Sequence, residues 1–205
     1  MATSIRRNFL SAIVLTSILG LNGCFSPVDN APAKTYVLSP TLPTVAASKK
    51  TKLTLLVEAP IASPALNTNE MAYVEKTYQL AYFSKNRWVD TPALMLQPLI
   101  IQALQNANYY KAVAASPFIG DYDMVLNTRL LTLQQNFLQS PSQIQLSLRA
   151  QLVNYKTRQV IASKQFDIVE PTSENTPYGG VVAANRATTQ LLQQLTEFCL
   201  QAPQK

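Results

Sequence analysis

Residues 142–155 alternate strictly between apolar and polar side chains, which predicts a long β-strand buried on one face only. Successive side chains of a strand point to opposite sides of a sheet, so the apolar positions share the buried side. The runs 123–137 and 160–169 flank this strand across turns near 140–141 and 156–158. The three segments predict an antiparallel meander with one wet face. The alternating residues are Ile144, Leu146, Leu148, Ala150 and Leu152 against Gln143, Gln145, Ser147, Arg149 and Gln151.

Two helices are expected to cover the other face of the sheet. The first begins at Asp90-Thr91-Pro92, where a capping side chain precedes a proline at the first helical position, and it extends to about Ala107. Pro98 lies inside it and is expected to kink or split it. The second helix spans about residues 179–200, with apolar residues every three or four positions. We expect this stripe to dock on the sheet, and a groove for a partner is the alternative.

Shorter strands complete the predicted fold. Residues 35–38 and 52–58 have the composition of strands, and residues 70–83 are rich in aromatic and β-branched side chains. A polar turn is expected at 84–87, so that this stretch forms a hairpin leading to Trp88. The sequence therefore predicts an α/β fold: a single domain over residues 35–202, in which two principal helices pack on a twisted mixed, largely antiparallel sheet.

The N-terminal 23 residues have the organisation of a signal peptide. Two arginines precede an apolar run of 13 residues, Phe9–Leu21, which is shorter than the roughly 20 residues that span a bilayer. The run ends in Leu-Asn-Gly-Cys, which resembles a lipobox with its small residue at the cleavage position. We expect residues 1–23 to be removed and Cys24 to carry a covalent diacylglycerol and an N-acyl chain. An uncleaved anchor is the alternative.

The sequence around Cys24 also predicts a location. Residues 24–34 contain two prolines and are expected to form an extended tether. Phe25 follows the cysteine, where an aspartate would favour retention at the inner membrane. This implies a lipid-anchored protein of the outer membrane that faces the periplasm of a Gram-negative bacterium. Cys199 is left without a disulfide partner, and a buried residue of the last helix is favoured over a reactive thiol.

The composition argues against catalysis. The chain contains no histidine, which excludes Ser-His-Asp and Cys-His arrangements and imidazole metal sites. Asp121 and Asp123 are better explained as turn residues than as an acid–base pair or a metal site. Gly179-Gly180 lacks the Lys-Ser/Thr that would complete a phosphate-binding loop. We therefore predict no enzyme, no metal and no cofactor beyond the covalent lipid, with a periplasmic hydrolase as the least favoured alternative.

Basic residues are scattered although the formal net charge is +6, which excludes the basic stripe of a nucleic-acid-binding protein. The segment 73–88 instead combines aromatic rings with positive charges, a pattern that can hold a lipid or a partner strand. Packing within the hairpin is the alternative. The candidate partner or lipid contacts are Tyr73, Tyr82, Arg87, Trp88 and Asp90.

The order of several short motifs resembles one known family. The lipobox is followed by Tyr36-Val-Leu, by Ser63-Pro-Ala-Leu and by Met71-Ala-Tyr. Arg87-Trp88-Val-Asp90-Thr-Pro and the closing Gly180-Val-Val-Ala-Ala-Asn-Arg helix come after them. In this order and spacing the chain resembles, from residue 24 to about 200, the auxiliary lipoproteins of ABC-type transporters that accompany Mce-domain proteins (PqiC-like).

The resemblance implies a non-catalytic component of a system that moves lipids or other apolar molecules between membranes. Its expected partners are a Mce-domain protein and an ABC permease and ATPase, and a homo-oligomer is a further alternative. A stand-alone periplasmic carrier with a lipid pocket between sheet and helices is the alternative function. The family fold, a twisted mixed sheet with two principal helices, agrees with the elements predicted from the residues.

Overall fold

The computed structural model describes residues 32–203. The chain divides after Pro32 into two units, and the second, Ala33–Lys205, contains every described strand and helix. The predicted signal peptide, Cys24 and nearly all of the predicted tether lie outside the described residues.

The described chain contains nine strands, two α-helices and a short 3-10 helix, Pro64–Leu66. The strands are β1 (Lys34–Tyr36), β2 (Thr54–Val57), β3 (Ile61–Ala62), β4 (Glu70–Lys76), β5 (Gln79–Trp88), β6 (Ala112–Ala115), β7 (Met124–Asn136), β8 (Gln143–Asn154) and β9 (Val160–Pro171). The helices are α1 (Pro92–Asn106) and α2 (Pro177–Gln201). The predicted meander corresponds to β7, β8 and β9, with bounds that differ by no more than two residues.

Strand β7 organises the sheet. Along one side it pairs with β8 over its whole length, and β8 pairs in turn with β9, both in antiparallel orientation. Along the other side β7 pairs successively with β2, β3 and β4, each in parallel orientation. Two arms extend from there, β2–β6 and β4–β5–β1. The predicted single-domain α/β fold, a mixed sheet with two helices packed on it, is confirmed.

The two helices cover one face of the sheet, where α2 contacts β8 and β9 and α1 contacts β6 and β2. The predicted alternation along β8 is confirmed, because its even-numbered side chains from Ile144 to Leu152 are buried. The apolar stripe of α2 docks on the same core, in agreement with the favoured expectation. Burial of each leucine there contributes about 1.5–3 kcal/mol. The fully buried leucines of this interface include Leu126, Leu130, Leu146, Leu148, Leu152, Leu191 and Leu192.

The β4–β5 hairpin turns earlier than predicted. The turn is Thr77-Tyr78, between paired Lys76 and Gln79, and residues 84–87 lie inside β5. Asn86 and Arg87 pair with the edge strand β1, and residues 83–86 lie in an irregular stretch between Tyr82 and Arg87, where the pairing of β5 with β4 shifts. A polar, irregular stretch inside a strand therefore has the composition of a turn, which explains the error.

Pro98 was expected to kink or split the first helix; it does not split it, since α1 is continuous over Pro92–Asn106. A proline inside a helix leaves the carbonyl four residues earlier without its N–H donor, here that of Leu94. Pro98 and Leu94 are both exposed. Water can therefore solvate the free carbonyl, which lowers the cost of the missing bond.

A buried polar cluster fixes the start of α2 against the sheet. The Gln135 amide of β7 donates to the Ser142 hydroxyl at 2.9 Å and to the Thr176 carbonyl at 3.2 Å. The Thr176 side chain caps the helix by accepting the N–H of Gly179 at 3.0 Å. A Cβ at Gly180 would approach the Gln135 amide oxygen to 2.3 Å. The close contact between helix and strand therefore requires glycine at position 180.

We predict that Gly180→Ala destabilises the protein by about 1–3 kcal/mol, because the added methyl group collides with a buried amide held by two hydrogen bonds. Chemical denaturation measures the effect. Gly120→Ala is the matched control, since its Cβ would meet the ring of half-exposed Phe118, a side chain that is free to rotate away. An equal loss of stability in both variants would contradict the conclusion that position 180 requires glycine.

Candidate functional site

Trp88, a predicted contact residue, lies in the hydrophobic core. It ends β5, pairs with Tyr36 of β1 and is 3% exposed. With Met71 and Ile144 it lines a cavity of about 10 Å³, which has room for about one water molecule. The indole therefore stabilises the junction of sheet and helix α2, and its side chain is not available to a partner at the surface.

Tyr73 and Tyr82 point to opposite faces of the β4–β5 hairpin. Tyr82 is opposite Ala72 and Tyr73 is opposite Ala81. Cross-strand partners share a face and consecutive residues alternate, so the two rings are separated by the sheet. They cannot belong to one contact surface.

Each tyrosine is half-buried and has contacts within the domain. The Tyr73 ring stacks on Phe83 with centroids 4.4 Å apart and meets the edge of Phe137 at 6.1 Å. The Tyr82 hydroxyl donates to the Ala65 carbonyl at 2.9 Å. These contacts support the alternative that the aromatic rings of this segment pack within the hairpin.

Arg87 and Asp90 are exposed. Arg87 is opposite Glu70 of β4, and the Asp90 carboxylate accepts the N–H of Thr91 at 2.7 Å, just before α1. Of the five predicted contact residues, these two are therefore the ones that a partner could reach most directly. Their role in binding stays a prediction.

We predict that Trp88→Ala lowers the free energy of unfolding by about 3–5 kcal/mol, because it leaves a large cavity in the core. Urea denaturation provides the measurement. Arg87→Ala, at the neighbouring exposed position, should change stability by no more than about 0.5 kcal/mol. A fully stable Trp88→Ala protein would contradict the core assignment.

An open polar groove lies on the sheet face opposite the helices, and none of the predicted contact residues belongs to it. Two pairs of exposed side chains on facing strands form its floor: Asn127 opposite Gln151, and Arg129 opposite Arg149. The groove has a volume of about 570 Å³. We call it the polar groove, and Glu58, Ala59, Ile61, Asn127, Thr128, Arg129, Arg149 and Gln151 line it.

The arginine pair determines the chemistry of the polar groove. Like charges directly opposite each other on neighbouring strands destabilise a sheet. Arg149 also donates to the Gln165 side chain at 2.9 Å, and Gln165 bonds to Asp167. Hydrogen bonds from Ser147 and Gln165, followed by the charge of Arg149, lower the pKa of Asp167 below its usual value. Among its lining residues the groove therefore offers two guanidinium groups and two amides against one carboxylate, that of Glu58, and this positive balance suits an acidic or strongly polar partner surface.

The alternating pattern of β8 predicted that Arg149 and Gln151 share the wet face. The register that places Arg129 opposite Arg149 was not visible, because a bulge in β7 between Leu130 and Thr132 shifts the pairing. Pairing across a bulge depends on tertiary contacts.

Cys199 is completely buried in α2. Burial raises the pKa of its thiol from the ordinary value to about 12. The thiol therefore stays protonated at neutral pH, and thiols in that state are poor nucleophiles. The favoured expectation, a buried residue of the last helix, is confirmed.

The family model described as the ABC-type transport auxiliary lipoprotein component matches residues 36–196. The chain belongs to this family. The match begins at the last residue of β1 and ends inside α2, so it includes β2 to β9, α1 and most of α2. The resemblance noted in the sequence is confirmed. The family consists of transport auxiliary lipoproteins and is not a known family of enzymes.

Solved structures share the fold of this auxiliary lipoprotein. Protein XCC0632 from Xanthomonas campestris superposes with a TM-score of 0.73 at 20% identity, covering 82% of this chain and 95% of its own. A second structure, titled as an uncharacterized protein, gives a TM-score of 0.66 at 15% identity and covers 82% and 99% of the two chains. At these identities the likeness concerns the fold alone. No curated protein matches the chain in sequence.

Membership of a lipoprotein family fits a protein that a lipid holds in the cell envelope. Within residues 32–203, neither helix is long and apolar enough to cross a membrane.

Proposed function

We propose that this chain is a non-catalytic outer-membrane lipoprotein of an Mce-domain ABC-type transport system for lipids or other apolar molecules. The observation that carries the proposal is the family match over residues 36–196. The lipobox at Cys24 and the phenylalanine that follows it support attachment to the outer membrane. In this function the domain holds a partner complex and performs no chemistry.

The packing of the domain favours this role over that of a stand-alone lipid carrier. The carrier hypothesis places a lipid between the sheet and the helices. Binding pockets for such ligands have volumes of roughly 300–1,000 Å³, whereas the cavity beside Trp88, between the sheet and α2, measures about 10 Å³. Leu133 and Ile144, which line this cavity, are buried, so a lipid could enter this interface only by displacing the core. We therefore infer that the apolar cargo passes through a partner.

The polar groove is the proposed contact for the Mce-domain protein. It lies on the sheet face that the helices leave open, and it presents two arginines and two amides at fixed spacing along β7 and β8. An acidic loop of the partner would relieve the repulsion between Arg129 and Arg149. Such a contact would also depend on ionic strength.

The first test is capture of partners from cross-linked membranes with the full-length tagged protein. We expect a Mce-domain protein together with an ABC permease. Arg149→Glu should reduce the recovered Mce-domain protein by about tenfold, since it reverses a charge at the contact. The matched control is Arg158→Glu, at a residue that lies over the Tyr155 ring at 4.6 Å and does not line the groove.

If both variants recover the partner equally, the polar groove is not the contact. If the unmodified protein recovers neither a Mce-domain protein nor a permease, the proposed transport function is wrong.

The second test concerns the anchor. Cys24→Ala removes the thiol that accepts diacylglycerol, so we expect the protein to leave the membrane fraction and to lose the acyl mass in mass spectrometry. Phe25→Asp should move the lipidated protein from the outer to the inner membrane on a density gradient. An acylated Cys24→Ala protein would exclude this cysteine as the lipidation site.

A further inference from the structure

Tyr78 occupies a backbone position that disfavours its side chain. It is the second residue of the two-residue turn between β4 and β5, and its φ is 67°. Glycine and asparagine adopt such left-handed conformations far more readily than a bulky aromatic residue. The Tyr78 side chain is also fully exposed, so it does not compensate by packing inside the domain. Backbone strain of this kind at an exposed residue indicates that the side chain makes a contact outside the domain.

An apolar groove begins beside Tyr78. Its volume is about 410 Å³, and Val74, Tyr78, Leu80 and Leu138 form its apolar walls. Leu80 and Leu138 are 39% and 45% exposed. We call this the hairpin groove.

Three of the five polar residues that line the hairpin groove form side-chain hydrogen bonds within the domain: Gln134, Gln145 and Asn136, whose amide oxygen accepts the N–H of Leu138 at 2.9 Å. The Gln134 amide donates to the Gln145 side chain at 2.9 Å. None of the described residues that line the groove carries a charge. The groove therefore suits an apolar contact better than an ionic one.

The position of the first strand relates this groove to the proposed anchor. β1 runs parallel to β5, and its first residue, Lys34, is opposite Asn86. Gln79, beside the turn, precedes Asn86 by seven residues, roughly 23 Å along a strand. The chain from Cys24 to Lys34 can extend to about 35 Å. A lipid on Cys24 is therefore within reach of the hairpin turn.

We propose that the hairpin groove and Tyr78 rest on the surface of the bilayer to which Cys24 is attached. The tyrosine ring would lie at the level of the head groups, where its apolar body and polar hydroxyl are both accommodated. Leu80 and Leu138 would face the boundary of the acyl chains. The contact would thus hold the domain in one orientation on the membrane. This inference rests on the lipidation of Cys24 in the proposed function.

The experiment uses the full mature lipoprotein, reconstituted in vesicles of phosphatidylethanolamine and phosphatidylglycerol. Tyr78→Cys carries an environment-sensitive fluorophore, and Cys199 is too buried to be labelled in the folded protein. We expect a blue-shifted emission that brominated lipids quench and that added salt changes little. Ile119→Cys is the matched control, because Ile119 is also fully exposed but lies in the loop that leads into the opposite end of β7.

The outcomes separate this inference from the proposed function. A protein that fails to attach to the vesicles argues against lipidation, and hence against the proposed anchor. A protein that attaches while both probes stay in water overturns the inference alone. A probe at position 78 that becomes shielded only after a partner protein is added assigns the groove to that protein, and also overturns the inference.

A second variant tests the role of the tyrosine itself. Asparagine tolerates the left-handed conformation, so Tyr78→Asn should leave Tm unchanged or raise it. Quenching of a probe on Leu138→Cys should nevertheless fall severalfold in this background, because the head-group contact is lost. Unchanged quenching of the probe at position 138 would overturn the proposed role of Tyr78 in holding the groove against the bilayer.

Discussion

The hydrogen bonds on both sides of β7 are the constraint on which the rest of the structure depends. On one side a single antiparallel partner, β8, pairs with this strand from end to end, and on the other side three shorter parallel partners share its length. The arm β2–β6 and the arm β4–β5–β1 join the meander through their pairing with β7. Its inward side chains also include Gln135, whose amide fixes the start of α2. A shift in its pairing would therefore move the helix and both arms together.

The sequence predicted the elements whose periodicity is long and regular. β8 alternates without exception across its buried face, and α2 repeats its apolar stripe over six turns or so, a length at which a helical pattern is unambiguous. Short parallel strands are harder to predict, because they have few residues and are specified by their neighbours. β6 has the composition Ala-Val-Ala-Ala and was not predicted. The turn at Thr77-Tyr78 lacks the glycine or asparagine that usually marks such a position, and this explains why it was placed seven residues too late.

The candidate site was less predictable than the fold. An aromatic residue beside an arginine has the composition of a binding patch, yet Trp88 is a core residue, and Tyr73 and Tyr82 point to opposite faces of the hairpin. The side on which a residue lies depends on the strand register, and bulges in β4–β5 and β7–β8 change that register. The polar groove depends on the same register. The patterns of the separate strands therefore could not predict which of their residues would line it. Family membership rests instead on the order of motifs along the whole domain, which is insensitive to these shifts.

The attachment of the folded domain through β1 has a mechanical consequence. This strand has only three residues, and it pairs with β5 at the edge of the sheet. A force applied at Lys34 along the strand axis loads all of its hydrogen bonds at once, whereas a force perpendicular to the sheet edge would break them one after another. This short junction therefore resists best a force that is directed along the strand axis, beside β5. With the proposed lipid on Cys24, the domain would withstand tension from its anchor along one axis and yield to a sideways pull.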